Sequence, residues 1–458
     1  MFKEFVKRDR EDKRISIAVV GDSMLDEYYN VGINRISPEY PVPILESESF
    51  AHDTYPGGAA NVCYQFSNFN VDVKLFSFLD LVSSHIFKDI FNINIISSIE
   101  DERISVPIKR RFQQGNNQII RWDIEKSNYG LSDDLLQSFQ DSIITRFKNF
   151  EFDIIIFSDY NKGFFNNYFS RDLCQIHKDS ILLVDPKKGP LERKWIGSSK
   201  DIIKPNFKEA LDISKYSNPI DQLSYFENMT GMSPVITKGG EGVYWTEDLI
   251  VNHYRSQNII NPLSVIGAGD CFIAFLAIAK GRGFSLSESV QIAYEASSRY
   301  IQNKYNKPLH PIDILNNKYV SPLDLKDRDF SLVFSNGCFD LFHCGHLSTL
   351  KFAKSKGDKL VVAINSDESV KKLKGNSRPI LNLEERVKVL SELECVDYIV
   401  SFEEDTPEEV IKIIQPDYLV KGPDYNSTEV VGANYVKEVF IAPSVENIST
   451  TSIINRII

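Results

Sequence analysis

The sequence predicts an α/β protein of two domains. Short apolar runs recur along the chain, amphipathic stretches lie between many of them, and a polar, proline-bearing interval spans 304–330 before a fresh apolar run begins. Alternating strand and helix gives parallel sheets covered on both faces. A chain of 458 residues exceeds one ordinary core and suits two. The expected domains are 1–320 and 331–458, and no repeat of fixed period is apparent.

Composition narrows the classes. With 25% charged and 42% hydrophobic residues, and no apolar run long enough for a bilayer, a disordered tail, a collagen-like fibre and a membrane-spanning protein are excluded. The charged start MFKEFVKRDREDKR is not a secretory signal. Six scattered cysteines without a C-x-x-C pair fit reduced thiols in the cytoplasm. A net charge of -11 sets the surface as a whole against nucleic acid. A phosphorylated substrate would need local cationic or backbone N–H pockets.

The first strand is ISIAVVG at 15–21, followed by Asp22 and Asp26 in GDSMLD. Carboxylates at the C-terminal edge of a parallel strand commonly meet ligand hydroxyls; loop capping is the alternative, favoured for Asp26 more than for Asp22. Gly57-Gly58-Ala59-Ala60-Asn61 precedes an apolar helical stretch. Paired glycines admit a ligand close to the backbone, and Asn61 is both donor and acceptor; a helix-packing turn would look the same. Further strands are expected at 153–157, 181–184 and 234–236. Asn206-Phe207-Lys208-Glu209 offers Asn206 and Glu209 for magnesium held through water, or as a capping box. Thr237–Gly242 (TKGGEG) can lie under a nucleotide or turn a hairpin. Gly267-Ala268-Gly269-Asp270 opens the apolar run CFIAFLAIAKG. N–H groups at such a helix start suit a phosphate, and Asp270 can take a proton from a substrate hydroxyl. Alternatively Asp270 is only an N-cap.

Together, in this order, these segments resemble the ribokinase-like sugar kinases over roughly 15–315. The resemblance implies an α/β/α sandwich with a small β lid. It assigns the sugar to Asp22, Gly57, Gly58 and Asn61, and the nucleotide to Asn206, Phe207, Lys208, Glu209, Gly239, Gly242, Gly267, Ala268 and Gly269. Magnesium falls to Asn206 and Glu209, and the catalytic base is Asp270. RISPEYPVPIL, PGGAANV, QIIRWDIE, FSDYNKG and VDPKKG resemble the kinase half of heptose-7-phosphate enzymes. Arg35, Lys109, Arg110, Arg111 and Arg121 are then candidates for the distal phosphate. Segments 30–50 and 103–123 are candidate lid strands, and the family often dimerises through the lid. Two departures stand out: Ser264-Val265-Ile266 replaces the family's Asp-x-Thr, and FSFLDLVSSHIF stands where a Gly-x-x-Gly-x-Asp turn is usual.

In the second domain, strands are expected at 332–334, 360–364 and 418–420. The first runs into His343-Cys344-Gly345-His346, where two imidazoles at a helix start can stabilise charge on a triphosphate. Zinc ligation by His343, Cys344 and His346 is the alternative. The segment resembles the H-x-G-H motif of cytidylyltransferase-like nucleotidyltransferases, with a Rossmann-like fold. The resemblance spans nearly all of 331–458. It implies catalytic roles for His343 and His346, and nucleotide contacts for Lys374, Arg378, Lys421, Ser449, Thr450 and Thr451. Glu384, Arg386 and 397–402 are expected as framework.

The two halves in this order resemble bifunctional heptose-7-phosphate kinase/heptose-1-phosphate adenylyltransferases of bacterial surface-polysaccharide synthesis. That implies ATP as co-substrate of both domains, Mg2+, sugar phosphates as partners and a cytoplasmic homodimer. Two alternatives remain: a kinase half that only binds or dimerises, and a different sugar or nucleotide (CTP or GTP).

Overall fold

The computed structural model describes residues 1–47, 52–95, 98–115, 117–176, 179–187, 195–256, 264–302, 307–309, 318–326, 328, 330–375, 378–423 and 430–443. Ser449, Thr450 and Thr451 lie outside them. The chain divides into two compact units, Met1–Ile314 and Leu315–Ile458.

An eight-stranded sheet forms the centre of the first unit. Its spatial order is Ile250–Tyr254, Val243–Glu247, Ser233–Thr237, Ile202–Ile203, Ile181–Asp185, Ile154–Ser158, Ile15–Gly21 and Val71–Phe76. Six strands are parallel, and Val243–Glu247 pairs antiparallel with both Ser233–Thr237 and Ile250–Tyr254. Ile17, Val19, Ile154, Ile156 and Leu183 are fully buried. A strand covered on both faces reads as a continuous β-branched run, which is why these strands are plain in the sequence. Helix Ala268–Gly281 is also covered all round, with every residue from Asp270 to Ala279 buried.

The lid is a separate four-stranded sheet, ordered Asn117–Ile124, Ile108–Gln114, Ser23–Asn30 and Asp53–Gly58. The expected segment 103–123 supplies two of its strands. The other two come from outside 30–50, which instead carries the hairpin Gly32–Ile36/Pro43–Glu46. Gly58 has φ +60°, and a Cβ there would stand 2.2 Å from the Asp22 carbonyl oxygen. Pairing with 23–28 thus requires a glycine where the lid strand meets helix Ala59–Tyr64.

The second unit is a five-stranded, all-parallel sheet. Its order is Tyr398–Phe402, Lys359–Asn365, Leu332–Gly337, Tyr418–Lys421 and Glu438–Ile441. The order reverses between Leu332–Gly337 and Tyr418–Lys421. In open α/β sheets the ligand crevice lies at the carboxyl ends of strands at such a switch point. Val333, Leu350, Leu360, Val362, Ile364, Leu390, Ile399 and Val420 make its core.

Candidate active sites

In the first unit the GAGD segment opens helix Ala268–Gly281. Gly267, not Asp270, is the N-cap, with φ +76°. A Cβ at Gly267 would stand 2.5 Å from Tyr300 Oη and 2.9 Å from Asn61 Nδ2, so the turn closes only around glycine. Asp270 falls in the first helical turn and lines a cavity of about 300 Å3. Tyr160, Asp185, Lys187, Lys204, Asn206 and Glu209 share that cavity.

Asp270 is held from two sides. Tyr160 Oη donates to Oδ1 at 2.6 Å and Asn61 Nδ2 donates to Oδ2 at 2.6 Å. Burial pushes its carboxyl up to about 6, against the two hydrogen bonds that favour the ionised form. A base that titrates near the working pH is suited to accept a proton.

The cations beside it are locked. Lys187 Nζ pairs with Glu209 Oε1 at 2.5 Å, and Lys204 Nζ stands 3.1 Å from Asp185 Oδ1. Burial alone would lower the Lys187 pKa, but Asp185 and Glu209 raise it well above the usual lysine value. A Cβ on Gly269 would meet Lys204 Nζ at 3.7 Å, so this ammonium stands beside the glycine turn. Backbone N–H groups of the helix start and fixed ammonium groups together make an anion cradle.

Asn206 and Glu209 take the capping role and also face the cavity. They form a full capping box, at 2.9 and 2.8 Å, and they also line the cavity. Lys208 is exposed, and Phe207 lies under Lys238 at 4.5 Å; neither lines the cavity. Gly239 and Gly242 turn the hairpin between Ser233–Thr237 and Val243–Glu247, and Thr237 is the lining residue there.

Three residues expected at the sugar have partners within the chain. Asp22 is fully buried, and its oxygens already accept from Tyr129 Oη, at 2.8 Å, and from three backbone N–H groups. Asn61 spends its amide on Asp270 and its carbonyl on Gln65 Nε2. Gly57 answers to strand packing, because a Cβ would meet Met24 Cγ at 2.6 Å. That same Cβ would stand 3.0 Å from Asp26 Oδ2, so Asp26, read as a loop cap, is the carboxylate at the Gly57 strand. Of the distal-phosphate candidates, Arg35, Arg110, Arg111 and Arg121 pair with Glu46, Glu27, Asp26 and Asp123 at 2.6–2.8 Å. Lys109 has no such ion pair among the described residues; its ammonium stands 5.6 Å from the Tyr160 ring. Tyr160, Asp185, Lys187 and Lys204 went unassigned by the sequence, though FSDYNKG and VDPKKG both end strands of the parallel sheet.

In the second unit His343 is the N-cap of helix Cys344–Lys354, and His346 lies one turn in. Their rings stack at 3.8 Å between centroids. Burial lowers both pKa values, that of His346 to about 4, with His343 and Lys374 adding repulsion. Both rings are therefore neutral at pH 7, and both Nδ1 atoms are buried without a hydrogen-bond partner. Among the described residues no group of three or more His, Cys, Asp and Glu side chains is arranged to hold a metal ion, so nothing there favours the zinc alternative. Lys421, at the end of Tyr418–Lys421, donates to Asn336 across the switch point, and burial lowers it to about 8. Arg378 pairs with Asp340 at 2.8 Å. Arg386 is framework as expected: fully buried, it donates to the Leu381, Cys338 and Asn365 carbonyls and to Asp367. Glu384 instead sits exposed on a surface pair with Lys388.

Fold and sites define a carbohydrate kinase joined to a nucleotidyltransferase. Residues 14–309 match the pfkB family carbohydrate kinases, and residues 334–456 match the cytidylyltransferase-like family. The chain is 33% identical to the bifunctional protein HldE of Aliarcobacter butzleri, covering 97% of this chain and 98% of that protein. It is 34% identical to the bifunctional protein HldE of Helicobacter pylori strain Shi470, covering 96% and 98%. The chain belongs to this bifunctional HldE family. The first unit also resembles phosphofructokinase-2 of Escherichia coli in complex with potassium, with a TM-score of 0.53 and 16% identity, over 66% of this chain and 97% of that one. At that identity the likeness concerns the fold alone.

Proposed function

We propose that the first unit phosphorylates D-glycero-D-manno-heptose 7-phosphate at C1 with ATP. The second unit then moves AMP from ATP to heptose 1-phosphate, giving ADP-heptose for surface glycans. The observation that carries the kinase half is Asp270, held by Tyr160 and Asn61 at a helix N-terminus beside two anchored lysines. The anomeric oxygen attacks the γ-phosphorus, its proton passes to Asp270, and the bond to the β-phosphate oxygen breaks to release ADP. The Gly267–Asp270 turn and Lys204 stabilise charge on the transferring group.

Magnesium fits as a hydrated ion. Magnesium keeps several waters and takes one or two carboxylates plus substrate phosphates. Glu209, Asp185 and Asn206 all line the cavity and would hold the ion through water while keeping their present partners, and the ion would neutralise charge on the ATP phosphates.

In the second unit a heptose 1-phosphate oxygen attacks the α-phosphorus and pyrophosphate leaves, with no covalent enzyme intermediate. His343, His346, Lys421 and the start of helix Cys344–Lys354 stabilise the charge; Lys374, at the end of helix Asp367–Lys374, and Arg378 beyond it approach the phosphates. A kinase half reduced to binding is not favoured, because the base, both its hydrogen-bond donors and the cations are all in place.

The direct test supplies ATP, magnesium and heptose 7-phosphate, and follows sugar products by mass. A heptose bisphosphate is expected; its absence sinks the kinase assignment. ATP with heptose 1-phosphate is expected to give ADP-heptose and pyrophosphate.

Two further outcomes are expected. Because Asp270 must be ionised to act and titrates at about 6, kinase kcat/KM should fall as pH drops through 6 and level off above 7. A flat profile from pH 5 to 8 would remove Asp270 as the base. Ile36, Tyr40, Val42, Ile120 and Trp122 expose apolar surface on the lid sheet and its adjoining hairpin, which supports a homodimer through the kinase unit. Trp122→Glu should then sediment as a monomer where the parent chain is a dimer.

The full chain is proposed to work in the cytoplasm on free nucleotides and sugar phosphates. Among the described residues no helix is long and apolar enough to cross a membrane.

A further inference from the structure

The two groups that hold Asp270 arrive from different parts of the chain, and both are tied to Asp22. Tyr160 sits on the loop after strand Ile154–Ser158. That loop turns its N–H groups inward: Tyr160 N–H donates to Asp22 Oδ2 at 2.8 Å, Lys162 N–H to Oδ2 at 3.2 Å and Phe164 N–H to Oδ1 at 3.2 Å. Tyr129 Oη completes the set on Oδ1. Asn61 sits on helix Ala59–Tyr64, whose first N–H, that of Ala59, donates to the Asp22 carbonyl oxygen at 2.8 Å. Asp22 itself is fixed by its own N–H to the Ser158 carbonyl oxygen at 3.1 Å. A carboxylate buried with four donors is a rigid hub, since each hydrogen bond to a charged acceptor is strong and costly to leave unmade.

We propose that Asp22 is a positioning residue for the kinase reaction: its carboxylate clamps the 160–164 loop so that Tyr160 Oη meets the catalytic base Asp270. This deepens the kinase assignment and rests on it. The physical demand is geometric. Tyr160 reaches Asp270 at 2.6 Å while its ring lies 4.6 Å from Lys187 Nζ and 5.6 Å from Lys109 Nζ. A loop shift of an ångström would move the phenol off the base and disturb both cations, and a misplacement of that size costs about 100-fold in rate.

Asp22→Asn is the discriminating variant. Asparagine keeps the shape but offers one acceptor oxygen, and its amide faces N–H donors. The loop keeps its hydrophobic anchor, because Phe164 packs 4.6 Å from the Phe78 ring and 4.9 Å from the Phe165 ring.

Two measurements on the full chain test this. In hydrogen exchange the 160–164 amides should exchange at least about tenfold faster in Asp22→Asn, while amides of strand 154–158 stay protected. Unchanged protection of 160–164 overturns the clamp, whether or not the sugar has been identified. In kinase assays kcat should fall about 10- to 100-fold with KM for sugar and ATP within about threefold. Combining Asp22→Asn with Tyr160→Phe should then lose little beyond either change alone, because both act through one phenol. Fully multiplicative losses, or a sugar KM that rises with kcat unchanged, overturn the proposal and return Asp22 to the sugar. If the parent chain phosphorylates no heptose, the substrate assignment fails while the exchange result still decides the clamp.

Discussion

Asp270→Asn is expected to lower heptose phosphorylation by at least about 1,000-fold while ADP-heptose formation from heptose 1-phosphate continues at the parent rate. Loss of a positioned general base typically costs about 100- to 10,000-fold. Among the described residues of the first unit, the nearby carboxylates are all engaged. Asp185 stands against Lys204, Glu209 is spent on Lys187 and on its capping box, and Asp22 is saturated. The substitution is also gentle. The introduced amide could still accept from Tyr160 or Asn61 through its carbonyl oxygen, and it would relieve the burial of a charge that now lifts the Asp270 carboxyl to about 6. The variant should therefore melt no lower than the parent. A calorimetric scan and the two product assays on one preparation check all three statements. A residual kinase rate within tenfold of the parent would mean that proton removal is not tied to Asp270.

His346→Ala should produce the mirror image: adenylyl transfer falls about 100- to 1,000-fold, the range for removing a preorganised donor aimed at developing charge, and heptose phosphorylation is untouched. The side chain used for comparison matters. Burial holds His346 near 4, so at pH 7 it meets ATP as a neutral donor rather than as a fixed cation. His346→Gln keeps a neutral N–H donor and should retain clearly more activity than His346→Ala. Equal loss in the two variants would point to an imidazolium formed on nucleotide binding. His343→Asn, at the N-cap, keeps a good capping residue and should separate the catalytic share of His343 from its helix-start role.

Much of the fold was legible because burial writes itself into composition. The strands at 15–21, 154–158, 181–185, 332–337 and 359–365 are largely covered on both faces, so their centres read as apolar runs. Strand Ile202–Ile203, with two residues, and the edge strand Glu438–Ile441 leave no such trace. The lid was only half legible. The 103–123 segment was expected there, but Ser23–Asn30 and Asp53–Gly58 join the lid only through tertiary pairing, the first of them with Ile108–Gln114, far away in sequence.

Among the site residues, the sequence determined those whose chemistry is local. GAGD at a helix start and H-x-G-H at another are contiguous, so small turning residues and the reactive group stand side by side in the text of the chain. The tertiary structure decided everything that depends on convergence. Tyr160 and Asn61 lie 110 and 209 residues from Asp270, and the three meet only because a strand end, a lid-to-helix turn and a buried helix share one crevice. Asp22 and Asp26, both in GDSMLD, were separated by pattern only as ligand carboxylate and loop cap. Their roles follow from which backbone N–H groups and which arginine the fold presents to each, and a carboxylate's function is set by the donors that surround it once water is gone.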